Sequence, residues 1–317
     1  DPPENNLKHL NLVELPLAET PALGVAVDGD GASWPGSAGD PILPVFDSFK
    51  QDAHAIYVFN RGKGEFNYTV TASAPWISIL KPDSAVRTEH QVTVRLDWTQ
   101  VPAGTSKGSI KISGAGQEVT VGVEAFHPTE VTRENLKGFV EGNSYVSIEP
   151  EHFTKRIDAG ANRWMRIADY GRTLSGMRAE APVDAPSATP GKDSPCLEYQ
   201  MYLFTTGSVE VTAITSPTMN FVPDRGMRYA VSFDDEEPQV VTLVPQGYQA
   251  QNRNPDWEKV VGNNARYTSS THTVAKPGYH TLKIWMIDPA VVMQKLIVDL
   301  GGVKPSYLGP PESFRSK

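Results

Sequence analysis

The sequence predicts an all-β protein built from two β-sandwich domains. Glycine and proline, 26 of each in 317 residues, interrupt the chain at short intervals. Between them, short segments alternate apolar and polar residues, with the period of two that is typical of half-buried strands. No window of twelve residues carries a clear helical period. Repetition of such segments at spacings of about eight to twelve residues favours a sandwich, and the chain is long enough for two.

Composition excludes several classes of function. A formal net charge of -8, without a run of Lys and Arg, argues against nucleic acid and anionic membranes as partners. No apolar stretch reaches the 18 residues of a membrane span. The single cysteine, Cys196, cannot form an intramolecular disulfide and is expected to be a small buried side chain. The chain starts at Asp1 without a signal segment, so we expect the start of the gene product to lie upstream.

The first domain is predicted at residues 43–127. Residues 1–42, rich in Pro, Gly, Asp and Ala, are expected to be an irregular lead-in. Trp76 and Trp98 could act as stacking platforms for sugar rings, but a core position inside an alternating strand is the simpler interpretation. The strands of this domain are predicted at 55–59, 66–70, 74–79, 91–98, 108–112 and 118–123.

The second domain is predicted at residues 145–317, after a linker at 128–144, and it includes an extended C-terminal tail. The acidic run at 234–237 stands between two strands and is expected to form an exposed hairpin turn, so it does not provide a catalytic pair. His272 and His280 flank the turn at 276–278 and are expected at the surface. No metal-ligand spacing of histidines and no nucleophile motif indicates an independent enzyme.

Four segments of uncommon sequence carry a family resemblance. They are residues 202–204, 228–235, 285–289 and the proline-rich end at 305–311. With these the chain resembles the C-terminal region of glycoside hydrolase family 115, the xylan α-1,2-glucuronidases. The resemblance implies the non-catalytic portion of an enzyme that removes glucuronic or 4-O-methylglucuronic acid from glucuronoxylan. It also implies a catalytic barrel upstream, roles in domain docking, dimerisation and completion of the active site, and a periplasmic, cell-surface or secreted bacterial protein.

Each domain also resembles a class of accessory module. The strings at 75–77, 97–98 and 102–104 make the first similar to immunoglobulin-like modules of bacterial glycan-degrading enzymes. The opening at 145–153, followed by 164–167 and 171–176, makes the second similar to carbohydrate-binding modules of families 6 and 35, which are jelly rolls.

The jelly-roll resemblance implies a structural calcium ion, although no cofactor is required for the fold. Glu149 and Glu151 match two acidic positions of the first strand, and Asp299 matches a third at the end of the last strand. Carbonyl groups of residues 172–175 would complete an oxygen cage. Pro150, where the related modules have a small residue, departs from the pattern. The alternative is that the two glutamates are solvated edge residues and that Asp299 caps a turn.

A long polar loop at 248–258 is the candidate sugar site. It carries Trp257 beside Arg253, with Arg266 close in sequence. A guanidinium fork suits the carboxylate of glucuronic acid, and an aromatic ring suits its apolar face. The alternative is a connector with one aromatic side chain packed beneath it.

Two further hypotheses remain beside the glucuronidase portion. One is a free-standing carbohydrate-binding module for xylan or uronic acids, which would use Tyr170, Trp164 or the Trp257 loop. The other is a structural spacer. The partners predicted across these hypotheses are xylan or glucuronoxylan oligosaccharides, the upstream catalytic domain and a second copy of the chain.

Overall fold

The chain divides between Thr129 and Glu130 into two compact units in a computed structural model that describes residues 17–82 and 85–316. Both units consist of strands packed in sheets, and the described residues contain one α-helix. The predicted all-β class is confirmed. Within the described part of the chain, no helix has the length and apolar character needed to cross a membrane.

The first unit is a sandwich of two four-stranded sheets, ordered β1-β3-β6-β5 and β2-β8-β7-β4. All neighbours are antiparallel except β2 and β8. Alternate side chains of both sheets meet in one apolar core, which includes Trp76, as the alternation of its strand predicts. Trp98 packs at the margin of that core. The strands are β1 (Leu23–Val27), β2 (Phe46–Asp47), β3 (His54–Asn60), β4 (Tyr68–Ala72), β5 (Ile77–Leu80), β6 (Glu89–Leu96), β7 (Gly104–Gly114) and β8 (Gln117–His127).

Strand β1 lies in the segment that the sequence predicts to be irregular, and this expectation is wrong for its second half. Leu23, Val25 and Val27 are buried in the core, and β1 pairs with β3 along its whole length. Gly24 interrupts the apolar residues of β1 and so obscures the strand in the sequence. It has a packing role, because the Phe59 ring occupies the space of its missing Cβ. Residues 1–16 of the expected lead-in lie outside the described part of the chain.

The second unit is a jelly-roll-like sandwich of two larger sheets. Sheet A has the order β12-β13-β20-β15-β18, with β10 also paired to β20, and sheet B has the order β11-β14-β19-β16-β17, with β9 paired to β14. The strands are β9 (Phe139–Val140), β10 (Tyr145–Ile148), β11 (Lys155–Ile157), β12 (Arg163–Ile167), β13 (Gly176–Glu180), β14 (Cys196–Leu203), β15 (Gly207–Thr215), β16 (Met227–Phe233), β17 (Gln239–Val244), β18 (Arg266–Val274), β19 (Gly278–Met286) and β20 (Val292–Asp299).

Two local features of this unit differ from the sequence prediction. The expected linker at 128–144 contains β9, which runs parallel to β14 and is part of sheet B. The expected loop at 248–258 leads into helix α1 (Pro255–Asn263). Asn254 caps the helix by accepting from the backbone N–H of Asp256, at 3.1 Å, and Pro255 stands in the first turn. Asn254 and Pro255 were the sequence signal for the start of a helix, since nine residues are too few to show a clear helical period of apolar residues.

Cys196 is fully buried, as its lone occurrence predicts. Burial raises the pKa of its thiol to about 12, and the thiolate is the reactive form. We therefore expect a thiol-specific disulfide reagent at about pH 8 to leave the native chain unmodified and to react with one thiol per chain after denaturation. Rapid labelling of the native chain would show that β14 opens locally. The reaction also serves as a reporter of unfolding in the second unit.

Candidate functional site

Three segments meet at one end of the second unit and form the candidate site: the loop at 170–175, the C-terminal end of α1 and the tail at 300–316. Arg172 holds them together. Its guanidinium donates to the carbonyl oxygens of Asn263, at 3.3 Å, and Tyr307, at 2.6 Å. The same guanidinium lies over the Tyr307 ring, 4.3 Å from its centre. One arginine therefore sets the relative positions of all three segments.

The three segments expose large apolar side chains to solvent. The exposed fraction is 62% for Tyr307 and 46% for Tyr170. Leu174, Leu308 and Val261 are also exposed. All five side chains lie on the segments that Arg172 joins, and exposed apolar side chains on adjoining segments make this end of the unit a candidate binding surface.

The tail packs against the second unit and does not extend freely from the end of β20. Gly309 lies against the side chains of Lys295, Ile297 and Ile214 on the outer side of sheet A. The carbonyl oxygen of Pro310 accepts from Ser147 Oγ, at 2.9 Å, and from Lys295 Nζ, at 3.1 Å. The tail thus provides hydrogen-bond partners for polar groups that it buries.

The end of the tail continues this pairing along β10 and β9. Ser313 and Ser147 exchange two hydrogen bonds, one through the Ser313 hydroxyl. Glu312 accepts from the backbone N–H of Glu149, at 3.1 Å, and pairs with His152, at 2.7 Å. The tail therefore fixes the geometry of the loop that follows β10.

Glu149 does not present a free carboxylate for calcium. It is 2% exposed, and its Oε1 lies 3.0 Å from Nζ of Lys295, which is 1% exposed. The Thr173 hydroxyl donates to the same oxygen. The ammonium group of Lys295 therefore supplies the positive charge that the sequence pattern assigns to a metal ion.

The other two predicted calcium ligands are also engaged elsewhere. β10 ends at Ile148, so the period of two does not extend to Glu151, which pairs with Arg166 instead. Asp299 Oδ1 accepts from three backbone N–H groups of the turn at 301–303. Asp299 therefore caps a turn, which is the alternative interpretation of that residue. Asp299 pairs with Tyr145, at the far end of β10 from Glu149, a separation of about 13 Å at roughly 3.3 Å per residue.

The three predicted ligands therefore do not converge on one site, and the calcium ion itself stays a prediction. Among the described residues, no group of three or more His, Cys, Asp or Glu side chains is arranged to hold a metal ion. The three carboxylates do not fit a shared ion, because two of them have cationic partners and the third caps a turn.

The four predicted sugar-binding residues have different environments. Trp164 is 0% exposed, belongs to the core of the unit and donates from its indole N–H to the carbonyl of Pro195, at 3.2 Å. Its ring cannot serve as a sugar platform, and that prediction is wrong. Tyr170 is exposed, Arg253 is exposed at the turn before α1, and Trp257 is half-buried in the first turn of the helix.

Arg266 binds a carboxylate of the protein itself. Its guanidinium pairs with both oxygens of Asp256, at 3.2 and 2.6 Å, and donates to the Tyr248 hydroxyl, at 3.0 Å. Arg266 is 8% exposed. Its fork is thus occupied, and Arg253 is the arginine of this loop that faces solvent.

This pair predicts a specific dependence of stability on pH. The hydrogen bond from Arg266 holds the pKa of Asp256 below its ordinary value of 3.8. A lowered carboxyl pKa stabilises the fold above about pH 4, and this contribution is lost as the pH falls through the folded-state value. Replacing Asp256 with Asn should lower Tm near neutral pH, and the difference from wild type should shrink in acid. Thermal melts between about pH 7 and pH 3 measure it.

The control for this prediction is Asp235→Asn, which removes an equally charged but fully exposed carboxylate. Its melting curve should run parallel to that of the wild type at every pH. A constant gap for the Asp256 variant would mean that a cause independent of the carboxylate charge, such as poorer packing of the amide, produces the effect.

The acidic turn at 234–237 has a structural role. Asp234, Asp235 and Glu237 are exposed, as predicted. His280 contacts Asp234, at 2.8 Å, and His272 contacts Glu236. Both histidines are buried, so the expectation of surface positions is wrong: the carboxylates of the turn cover them.

Comparisons with known proteins place these observations in a family context. The family model of the glycosyl hydrolase family 115 C-terminal domain matches residues 138–312. A solved family GH115 4-O-methyl-α-glucuronidase, BtGH115A, described as having specificity for decorated arabinogalactans, shares 19% identity at a TM-score of 0.34. The match covers 46% of this chain and 17% of that protein, so the chain spans about a sixth of the length of the enzyme.

Two carbohydrate-binding modules of family 35 are also similar. The module from Clostridium thermocellum shares 9% identity at a TM-score of 0.33, over 49% of this chain and 97% of that one. The module of Abf62 from Cellvibrio japonicus shares 8% identity at a TM-score of 0.32, over 49% and 92%. A comparison with curated protein sequences found no match.

Proposed function

Because this chain belongs to glycoside hydrolase family 115 through its C-terminal domain, we propose that it is the non-catalytic portion of an α-glucuronidase. The enzyme would release glucuronic acid or 4-O-methylglucuronic acid from glucuronoxylan, in the periplasm, at the cell surface or outside a bacterial cell. The observation that carries this proposal is the match of the family's C-terminal domain over residues 138–312.

The environment of the buried carboxylates supports a non-catalytic role. Glycoside hydrolysis generally needs two carboxyl groups that face the substrate. Glu149 is paired with Lys295, and Asp288 is paired with two arginines. Glu141 accepts from the backbone N–H groups of residues 204 and 205, and Asp47 accepts from those of residues 49 and 50. Each of these carboxylates stabilises the fold of its own unit.

The exposed apolar surface of the candidate site supports a docking role. Tyr307, Leu308, Leu174 and Val261 present it on segments that Arg172 and the tail hold in place. We assign this surface to the catalytic domain of the same protein, because a fixed apolar surface suits a permanent intramolecular contact. Dimerisation and completion of the active site are further roles proposed for it.

The activity of matched proteins tests the proposal. The chain alone, the full-length gene product and the full-length product without residues 130–317 would be assayed for release of 4-O-methylglucuronic acid from glucuronoxylan. Decorated arabinogalactan, the substrate class in the description of BtGH115A, is the second substrate. We expect the chain alone to be inactive, the full-length product to be active and the truncated product to lose activity. Release of the sugar by the chain alone would refute the non-catalytic assignment.

A carbohydrate-binding module is the second candidate function, favoured by exposed Tyr170 and Arg253 beside half-buried Trp257. An aromatic ring and a free guanidinium provide the two contacts that a uronic acid needs. Isothermal titration with glucuronoxylan oligosaccharides, repeated with Arg253→Ala and Trp257→Ala, tests it. No heat of binding for the wild-type chain would eliminate this candidate and leave docking as the role of this end.

A further inference from the structure

A concave surface lies beside β14 of sheet B and shares the end of the tail, residues 314–316, with the candidate site. Its larger part has a volume of about 760 Å³, and a smaller part of about 270 Å³ adjoins it through Gly138, Arg315 and Ser316, which line both. Volumes of this size are in the range of small-molecule sites. We call the two parts together the β14 groove, because Gln200 of β14 lines it.

The walls of the β14 groove are held by backbone pairing, so its shape is defined without a ligand. One wall is the segment at 133–138 and the other is the end of the tail, at 314–316. Gly138 and Ser316 join the walls through hydrogen bonds of 2.9 and 3.0 Å. Gly138 has a φ of 73°, and the Gln200 carbonyl fills the place of its missing Cβ, so no other residue fits there. The backbones of Gly138 and Gln200 approach each other closely and form the floor of the groove.

The lining of the groove is cationic in a chain whose net charge is -8. Arg133, Lys137 and Arg315 line its larger part, against one acidic residue, Glu134. Among the residues that the structure describes, none of these three cations has an ion pair within 4.0 Å. Three cations around one concavity, each without an ion pair to another described residue, favour an anionic ligand.

The remaining side chains favour a sugar acid over a bare anion. The Arg133 guanidinium lies over the Phe314 ring, 4.6 Å from its centre, which orients its fork. Leu136 and Phe314 add apolar surface, while Gln200 and Ser316 add an amide and a hydroxyl. A guanidinium fork recognises a carboxylate at two points, and amide and hydroxyl groups recognise ring hydroxyls.

We propose that the β14 groove binds a uronic acid residue of an acidic glycan, with its carboxylate at Arg133 and Arg315. The preference for an anion rests on the groove alone, whereas the choice of a uronic acid rests on the proposed function. The groove would hold the uronic acid side group of the polysaccharide near the enzyme without acting on it.

The test is isothermal titration of the full chain with D-glucuronic acid and with a 4-O-methylglucuronic-acid-substituted xylotriose, against D-glucose and xylotriose as neutral controls. We expect binding of the acidic sugars alone, with weakening in about 0.5 M salt because the pairing is partly exposed. Binding of both classes with equal affinity, or of neither, would overturn the proposal.

Variants assign the binding to the groove. Arg133→Ala with Arg315→Ala should weaken it about tenfold or more, which corresponds to about 1.4 kcal/mol. Arg95→Ala with Arg163→Ala removes the same charge from exposed sites on β6 and β12 and should leave affinity unchanged. Arg133→Lys with Arg315→Lys keeps the charge but loses the fork, and should give an intermediate loss. Equal loss in the control would mean that net charge, not the groove, attracts the sugar.

Two outcomes separate the groove from its alternatives. Tighter binding of an Asp- and Glu-rich peptide than of the acidic trisaccharide would reassign the groove to a protein partner and overturn the sugar proposal. Absence of binding, together with a full-length product that still releases glucuronic acid, would overturn the groove proposal and leave the proposed function intact.

Discussion

Replacing Lys295 with methionine is expected to destabilise the second unit by about 3–5 kcal/mol, because it leaves the Glu149 carboxylate buried without its cation. The two side chains are 1% and 3% exposed and lie 3.0 Å apart. The Pro310 carbonyl would lose the Lys295 ammonium as a donor, so the tail would also lose one of its contacts with sheet A. Urea unfolding followed by Cys196 labelling measures the change in the second unit.

The double variant Glu149→Gln with Lys295→Met is the matched control. It removes both charges, so it should recover a large part of the stability lost in the single variant. Addition of Ca²⁺ or of a chelator should leave Tm of the wild type unchanged, since Lys295 occupies the position of a cation. A rise in Tm with Ca²⁺ would contradict this interpretation of the pair.

Replacing Asp288 with asparagine is expected to cost about 3 kcal/mol, the second large effect in this unit. Asp288 is 0% exposed and lies 3.0 Å from Nε of both Arg225 and Arg228. It also accepts from the Ser187 hydroxyl, at 2.7 Å. Asparagine keeps the shape but leaves two partly buried guanidinium groups without a countercharge. Removal of one partner from a buried ion pair costs about 3–5 kcal/mol, and the loss here lies at the lower end because both arginines retain some contact with water.

The control for this variant is Asp158→Asn, which breaks an ion pair with Arg156 whose side chains are 39% and 41% exposed. Pairs of this kind contribute about 0–1 kcal/mol. Similar losses in the two variants would show that the Asp288 network is no more stabilising than a surface pair.

Local sequence patterns were sufficient for the fold class because a strand that faces a core must alternate. The alternation around Trp76 predicted its burial. It could not identify β1, whose glycine serves the Phe59 ring of a strand that lies about thirty residues away in sequence. It also extended the first strand of the second unit to Glu151, whereas β10 ends at Ile148, where the chain turns.

The candidate sites depended more strongly on contacts between distant residues. The resemblance to carbohydrate-binding modules implied that Glu149 and Asp299 share an ion, but antiparallel pairing of β10 with β20 sets them at opposite ends of β10. The sequence offered Trp164 as a sugar-binding residue, whereas the packing of sheet A against sheet B places it in the core. The cations of the β14 groove carried no local motif, because Arg133 and Arg315 are 182 positions apart.

The sequence by itself determined that the chain is all-β, that Cys196 is buried and that its second half belongs to a family of glycoside hydrolases. The tertiary structure decided which charges meet. It paired Glu149 with Lys295, returned the tail over sheet A and gathered the cations of the β14 groove. The physical reason is that alternation and turns depend on neighbouring residues, whereas the pairing of buried charges depends on strand register and on segments brought together only by folding.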